Sequence, residues 1–283
     1  MTPKQMFLLF KEAVASWAAD YAPSMGAALS YYMLFSIAPL LVIVFAVAGL
    51  FFGDEAVRAE VFNQLSALMG QKSALVVEDM LRTANQPKEG AIAATISLAV
   101  LLLGATTVLG ELQNALDRIW RAPAERKATG VWGFLRSRLL SFTMILGVAL
   151  LLVVSLVVSA GLAALGKWWG PWFVGWEVLA HFIDLGVSFA IMTVLFAMIY
   201  KIIPRVRIHW HDVWIGAAVT SLLFSIGKVL IGLYLGKSDI ASGFGAAGSL
   251  VLFMVWVYYS AQIFLIGAEF TWVYAHKYGS RRP

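Results

Sequence analysis

Long, uninterrupted apolar runs constrain the fold of this chain more than any other feature. Residues 40–52 read LLVIVFAVAGLFF, and several later stretches of about 20 residues are equally apolar. In lipid, only helices and closed β-barrels satisfy every backbone polar group, and barrel strands alternate between apolar and polar residues. These runs do not alternate. With 61% hydrophobic and only 13% charged residues, the sequence predicts an all-α polytopic membrane protein.

Six apolar segments have the length of a membrane-spanning helix, and we interpret residues 1–283 as a single integral membrane domain. Residues 1–27, before the first span, have helical apolar spacing at Met6, Phe10, Val14, Trp17 and Tyr21, which predicts an amphipathic helix in the membrane interface. Pro23 and Gly26 are expected to turn the chain into the first span. Short helices are expected in the loop 54–90. The predicted spans are 28–52, 91–114, 139–166, 178–203, 214–236 and 249–275.

The distribution of basic residues predicts the orientation. Of the 21 Lys and Arg residues, fourteen fall before the first span, after the second, around the connection of the fourth and fifth, and after the sixth. Six fall on the other side, and Lys228 lies within the fifth span. Basic residues concentrate in cytoplasmic loops. We therefore expect both termini and the loops 115–138 and 204–213 in the cytoplasm. The net charge of +5 is explained by this topology and requires no nucleic-acid partner.

Polar and ionisable residues inside the predicted spans are the strongest functional signal. Such groups are costly in lipid and commonly mark a transport pathway or a partner, although they can also hydrogen-bond helices together. Both interpretations remain open. By depth, Asp184 and Lys228 are expected to pair, whereas Glu111 and Glu269 are expected to line an inward-opening polar vestibule. The candidate pathway residues are Glu111, Asn114, Asp184, Lys228, Gln262 and Glu269.

The stretch SGFGAAGS at 242–249 contains a G-x-G-x-x-G pattern, which in other proteins binds dinucleotides. That pattern requires a preceding strand, and here the preceding residues end a predicted membrane helix, so the match is attributed to chance. A glycine turn that starts the sixth span could still bind an anion such as a lipid phosphate at the helix start. The candidate anion site consists of Lys237, Gly243, Gly245 and Gly248.

No catalytic or metal-binding motif is visible. The chain has no cysteine, and His209, His211 and Asp212 lack the further ligands of a hydrolytic metal centre. The sequence therefore predicts no enzyme activity, catalytic residue or cofactor.

Four motifs together resemble the YihY/BrkB family of bacterial inner-membrane proteins. They are AALSYYMLFSIAPLL in the first span, ELQNALDRIW after the second, the W-x-D of Trp210 and Asp212, and GFGAAGSLVLFMVWVYYSAQIFLIGAEF at 243–270. The resemblance implies six membrane helices and an inner-membrane location. Members have carried the labels ribonuclease BN and virulence factor; nothing in this sequence supports the ribonuclease label.

Two classes of function follow. The first is a transporter or flippase for a lipid or amphipathic anion, with the polar residues lining its route and membrane lipids as partners. The alternative is a non-transporting scaffold or envelope-assembly protein, in which the same residues hold helices together. The sequence does not indicate an oligomeric state.

Overall fold

A computed structural model of the protein describes residues 3–69, 71, 74–75, 77–78, 107–123, 147, 176–237 and 248–282. Within these ranges all regular structure is helical, as the apolar runs predict. A further helical segment covers residues 107–119. The bounded helices are α1 (Pro3–Ala19), α2 (Ala22–Phe52), α3 (Asp54–Met69), α4 (Trp176–Ile202), α5 (Trp210–Lys237) and α6 (Gly248–Lys277).

Among the residues that the structure describes, three helical segments are long and apolar enough to cross a membrane, namely Leu185–Ile202, Trp210–Tyr234 and Leu250–Lys277. They overlap the fourth, fifth and sixth predicted spans. The first predicted span lies within α2, which has 31 residues. Of the second predicted span only 107–114 is described, and that helix continues to residue 119. Apart from Gly147, the third predicted span lies outside the described residues.

The turn between α1 and α2 lies earlier than the sequence predicts. The prediction placed it at Pro23 and Gly26, whereas α2 already begins at Ala22 and the break is at Tyr21, which has a φ of 56°. Pro23 fits the first helical turn, because backbone N–H groups there have no intrahelical acceptor. Gly26 instead permits close packing: a Cβ at this position would lie 2.0 Å from the Gln262 Nε2.

Helix α6 occupies the centre of the described structure, in contact with α1, α2 and α5, while α4 packs against α5. Two reciprocal contacts bring α5 and α6 together: Gly216 faces Thr271, and Gly267 faces Thr220. Each threonine hydroxyl donates to a carbonyl within its own helix at 2.7 Å. Small residues at such positions let membrane helices approach closely.

Helix α1 lies against α6 and has a second apolar surface. Leu9 and Ala13 are buried in a cluster with residues of α6, whereas Met6, Phe10 and Val14 remain exposed. A helix thus covers Pro3–Ala19, within the region 1–27 for which the sequence predicts an amphipathic helix. Its exposed apolar side chains suit the predicted interfacial location, which stays a prediction.

Candidate functional site

One end of the bundle gathers most of the described ionic contacts, and we call it the polar end. It comprises the α1–α2 junction, residues 113–122, the α4–α5 connection at 203–209, and the last turns of α6 with residues 278–282. Arg205 links two of these parts, because its guanidinium contacts the Asp117 carboxylate at 3.1 Å and donates to the Gln113 side chain at 2.9 Å. Its backbone N–H also donates to Asp117, at 2.8 Å.

The C-terminal residues are attached to the start of α5. Asp212 is fully buried and accepts hydrogen bonds from the Ser280 hydroxyl at 2.5 Å and from the Ser280 backbone N–H. Arg281 donates to the Arg207 carbonyl at 2.8 Å. The aspartate of the W-x-D motif thus has a structural role, closing the α4–α5 connection over the end of α6.

Three cationic side chains at the polar end, and Lys201 beside it, stand over aromatic rings. Such pairs combine electrostatic attraction to the ring with burial of the aliphatic stem. The cation-to-centroid distances are 4.4 Å for Arg121 over Trp272, 5.3 Å for Arg118 over Tyr21, 5.3 Å for Arg281 over Trp120 and 5.4 Å for Lys201 over Trp210.

Glu269 is the most unusual ionisable residue of this region. Its side chain is 0% exposed, and neither carboxylate oxygen accepts a hydrogen bond from a donor within the described part of the chain. The charged groups that act on it are the Asp20 carboxyl, within hydrogen-bonding reach, and the Arg121 guanidinium. Glu269 lies eight residues before the end of α6, or about 12 Å along the helix axis.

The structure places Gln262 and Glu269 on the same face of α6, toward α1 and α2. The Trp17 indole N–H donates to the Gln262 carbonyl oxygen at 3.1 Å, so Gln262 joins helices. The Glu269 side chain is completely buried, and its predicted place in an inward-opening vestibule stays a prediction.

The remaining candidate pathway residues are not brought to Glu269 by any described contact. Glu111 is half-buried and Asn114 is exposed. Lys228 is half-buried on α5, and the Asp184 side chain lies outside the described residues, so their predicted pairing stays a prediction. Of the candidate anion site, Gly248 is the buried first residue of α6; Gly243 and Gly245 lie outside the described residues, as does the Lys237 side chain.

Sequence reasoning missed four residues that the structure brings into the polar end: Gln113, Asp117, Asp20 and Arg121. Gln113 and Asp117 are buried and have the i, i+4 spacing that places side chains on one helix face. The prediction ended the second span at residue 114, so this spacing was not recognised as belonging to one helix. Asp20 and Arg121 have no local signal, since their relation to Glu269 joins distant parts of the sequence.

The described residues contain no group of three or more His, Cys, Asp or Glu side chains that could hold a metal ion. His209 and His211 are both exposed at the start of α5.

The sequence profile of the family described as "Virulence factor BrkB" matches residues 13–283. A "UPF0761 membrane protein" of Tolumonas auensis is 27% identical over 265 residues, covering 89% of this chain and 80% of that protein. A protein of the same description from Psychromonas ingrahamii is 27% identical, with 86% and 79% covered. No solved structure matches this chain.

Some relatives are longer. A "UPF0761 membrane protein" of Pseudomonas aeruginosa strain LESB58 is 29% identical over 260 residues, and the match covers 88% of this chain but 58% of that protein. The chain therefore spans less than two thirds of the length of these relatives.

Proposed function

The chain belongs to the virulence factor BrkB family of membrane proteins, and on that premise we propose that it is a transporter or flippase for a lipid or another amphipathic anion. The observation that carries the proposal is the carboxylate of Glu269, which is buried and accepts no hydrogen bond from a donor among the described residues. We further propose a bacterial inner-membrane location with both termini in the cytoplasm, as the distribution of basic residues favours.

Glu269 supports transport because a residue with a purely structural role is expected to have its carboxylate oxygens hydrogen-bonded. A buried polar group without a hydrogen-bond donor is costly, and an ionisable residue within a membrane helix is by default a functional candidate. Gln262, two turns earlier on the same face, accepts a hydrogen bond from the Trp17 indole through its carbonyl oxygen, while its Nε2 has no partner among the described residues. Glu269 differs from it in being ionisable and in having neither side-chain oxygen bonded to a described donor.

The substrate class is supported by the cations stacked on aromatic rings at the polar end. A guanidinium held over a ring keeps its N–H groups free to bind a phosphate or carboxylate, and arginine matches these anions with two parallel hydrogen bonds. Arg118 and Arg121 are both exposed, and each lies next to apolar surface from its aromatic partner. This combination suits a ligand with an anionic head and an apolar body.

The experiment is reconstitution of the full chain in vesicles with a panel of labelled lipids and amphipathic anions. We expect the wild-type protein to move one of them and the Glu269→Gln variant to lose that activity while keeping its thermal stability. The matched control is Glu12→Gln, which removes a partly exposed carboxylate paired with Lys277. Full activity of Glu269→Gln, or equal loss in the Glu12 control, would contradict the proposal.

A second candidate function, a non-transporting membrane scaffold, is favoured by the reciprocal contacts between α5 and α6. There the hydroxyls of Thr220 and Thr271 donate to carbonyls of their own helices, and the Thr220 hydroxyl also forms a hydrogen bond with the Tyr200 hydroxyl of α4 at 3.1 Å. Absence of transport of the whole panel by a stably folded wild-type protein would favour this alternative.

A further inference from the structure

Asp20 is held beside α6 by contacts on both sides of it in the chain. Trp17, which precedes it, hydrogen-bonds Gln262, and Gly26, which follows it, packs directly against the same side chain. The Asp20 carboxyl is thereby brought within hydrogen-bonding reach of Glu269. Asp20 is itself partly exposed, whereas Glu269 has no exposure. The two carboxyl groups thus form a path from the protein surface to a buried oxygen.

Two ionised carboxylates within hydrogen-bonding reach of each other repel, and neither can donate a hydrogen bond. One proton changes this, because the protonated carboxyl becomes a donor to the other in a short charge-assisted hydrogen bond. It also satisfies a Glu269 oxygen that otherwise has no donor in the described structure. We propose that Asp20 and Glu269 share a single proton and that the α1–α2 junction and α6 together form a proton-binding site.

The charged groups around the pair leave this proton in place. Arg121 acts on Glu269 from residues 113–122, but its guanidinium is stacked on Trp272 and donates no hydrogen bond to the Glu269 carboxylate. On α1, Glu12 is paired with Lys277. On α5, the buried Asp212 is bound by Ser280. Arg121 therefore balances the one negative charge that remains when the proton is shared.

Two residues associated with the pair have an unfavourable backbone conformation. Tyr21, directly after Asp20, has a φ of 56°, and Arg121 has a φ of 49°; they are the two non-glycine residues with positive φ in the described ranges. Such conformations persist where the surroundings hold them and cluster at functional sites. When the proton leaves for water, two carboxylates face each other, and their repulsion favours release of the α1–α2 junction from α6.

The role of this proton rests on the proposed transport function, in which the proton would be the coupling ion. The shared proton itself can be measured without transport. The full chain is placed in lipid nanodiscs, and infrared difference spectra are recorded as the pH is raised from about 5 to about 9, beyond the range of ordinary carboxyl groups. We expect the wild type to lose the C=O absorption of one protonated carboxyl per chain. Asp20→Asn and Glu269→Gln should each lack this signal, and the Glu12→Gln control should retain it.

A single variant that fails to fold is replaced by the exchanged double variant Asp20→Glu with Glu269→Asp, which keeps two carboxyls and should restore the signal. No titrating carboxyl in the wild type would overturn the proposal. A signal that persists in either single variant would also overturn it, because one carboxyl would then hold the proton alone. The infrared signal without transport in vesicles would support the shared proton and contradict the transport function. Transport without the infrared signal would support the transport function and contradict the shared proton.

Discussion

Replacing Gly216 by alanine tests whether α5 and α6 depend on close contact. The added Cβ would lie 1.8 Å from the Thr271 Oγ1, 2.7 Å from its Cβ and 2.8 Å from its Cγ2. Rotating Thr271 cannot relieve the clash, because its Cβ is fixed to the backbone and its other branch is also too close. The helices must therefore separate, or the threonine must give up its hydrogen bond to the Gly267 carbonyl.

The matched control is Gly232→Ala on the same helix, where an added Cβ meets nothing within 4 Å. Both substitutions gain helix propensity, about 1 kcal/mol for alanine over glycine, so the difference between them isolates the steric cost. Overpacking of a well-packed interior costs about 1–3 kcal/mol. We expect Gly216→Ala to be less stable than Gly232→Ala by that amount.

The assay is unfolding of the purified variants in mixed micelles by SDS titration, followed by tryptophan fluorescence. Adding Thr271→Ala removes two of the three clashing atoms, so the double variant should recover part of the loss, with a coupling energy of about 0.5–3 kcal/mol. Equal stability of the Gly216 and Gly232 variants, or strict additivity in the double variant, would refute this account of the interface.

Three further outcomes are expected. Asp117→Asn should destabilise the protein by about 1.5–3 kcal/mol, the range for a hydrogen bond to a charged group, because it weakens the contact of Asp117 with the Arg205 guanidinium; equal stability in the same SDS titration would contradict this. Ser280→Ala should lower stability by about 1.5–3 kcal/mol, the range for a hydrogen bond to a charged group such as Asp212, measured as a lowered SDS midpoint; an unchanged midpoint would show that the backbone N–H suffices. A single cysteine in place of Lys127 should react with a membrane-impermeant reagent only in inverted vesicles; labelling from outside intact cells would overturn the predicted orientation.

The helical membrane architecture was accessible from the sequence because it depends on local composition. Helices α4, α5 and α6 begin and end within four residues of the segments 178–203, 214–236 and 249–275, because long apolar runs favour helices in lipid. The division of the whole chain into six spans stays a prediction. The family assignment from the quoted motifs is also confirmed. The break between α1 and α2 was misplaced because proline is equally compatible with a turn and with a first helical turn.

The site was only partly predictable for a different reason. Glu269 stands out in any reading of the sequence because it is an acid in an apolar helix. Its neighbours do not: Asp20 lies in a segment with ordinary surface charges, and Arg121 is one of several arginines that topology already explains. Their association with Glu269 is a long-range contact, which neither periodicity nor spacing encodes. Arg205 was likewise counted as a topology signal, although it binds Asp117.

The packing of α1 against α6 has a consequence for biosynthesis. The hydrogen bond from Trp17 to Gln262 joins residues 245 positions apart, and the buried face of α1 has its described partners on α6. A ribosome makes α1 first and α6 last among the described helices, and contacts between such distant segments form slowly because loop-closure entropy opposes them. The face of α1 that packs on α6 therefore stays uncovered by α6 through most of translation. If synthesis stops before α6 is made, α1 has no packing partner on that helix. Its uncovered apolar face would then distinguish the incomplete chain from the complete one for the quality-control machinery.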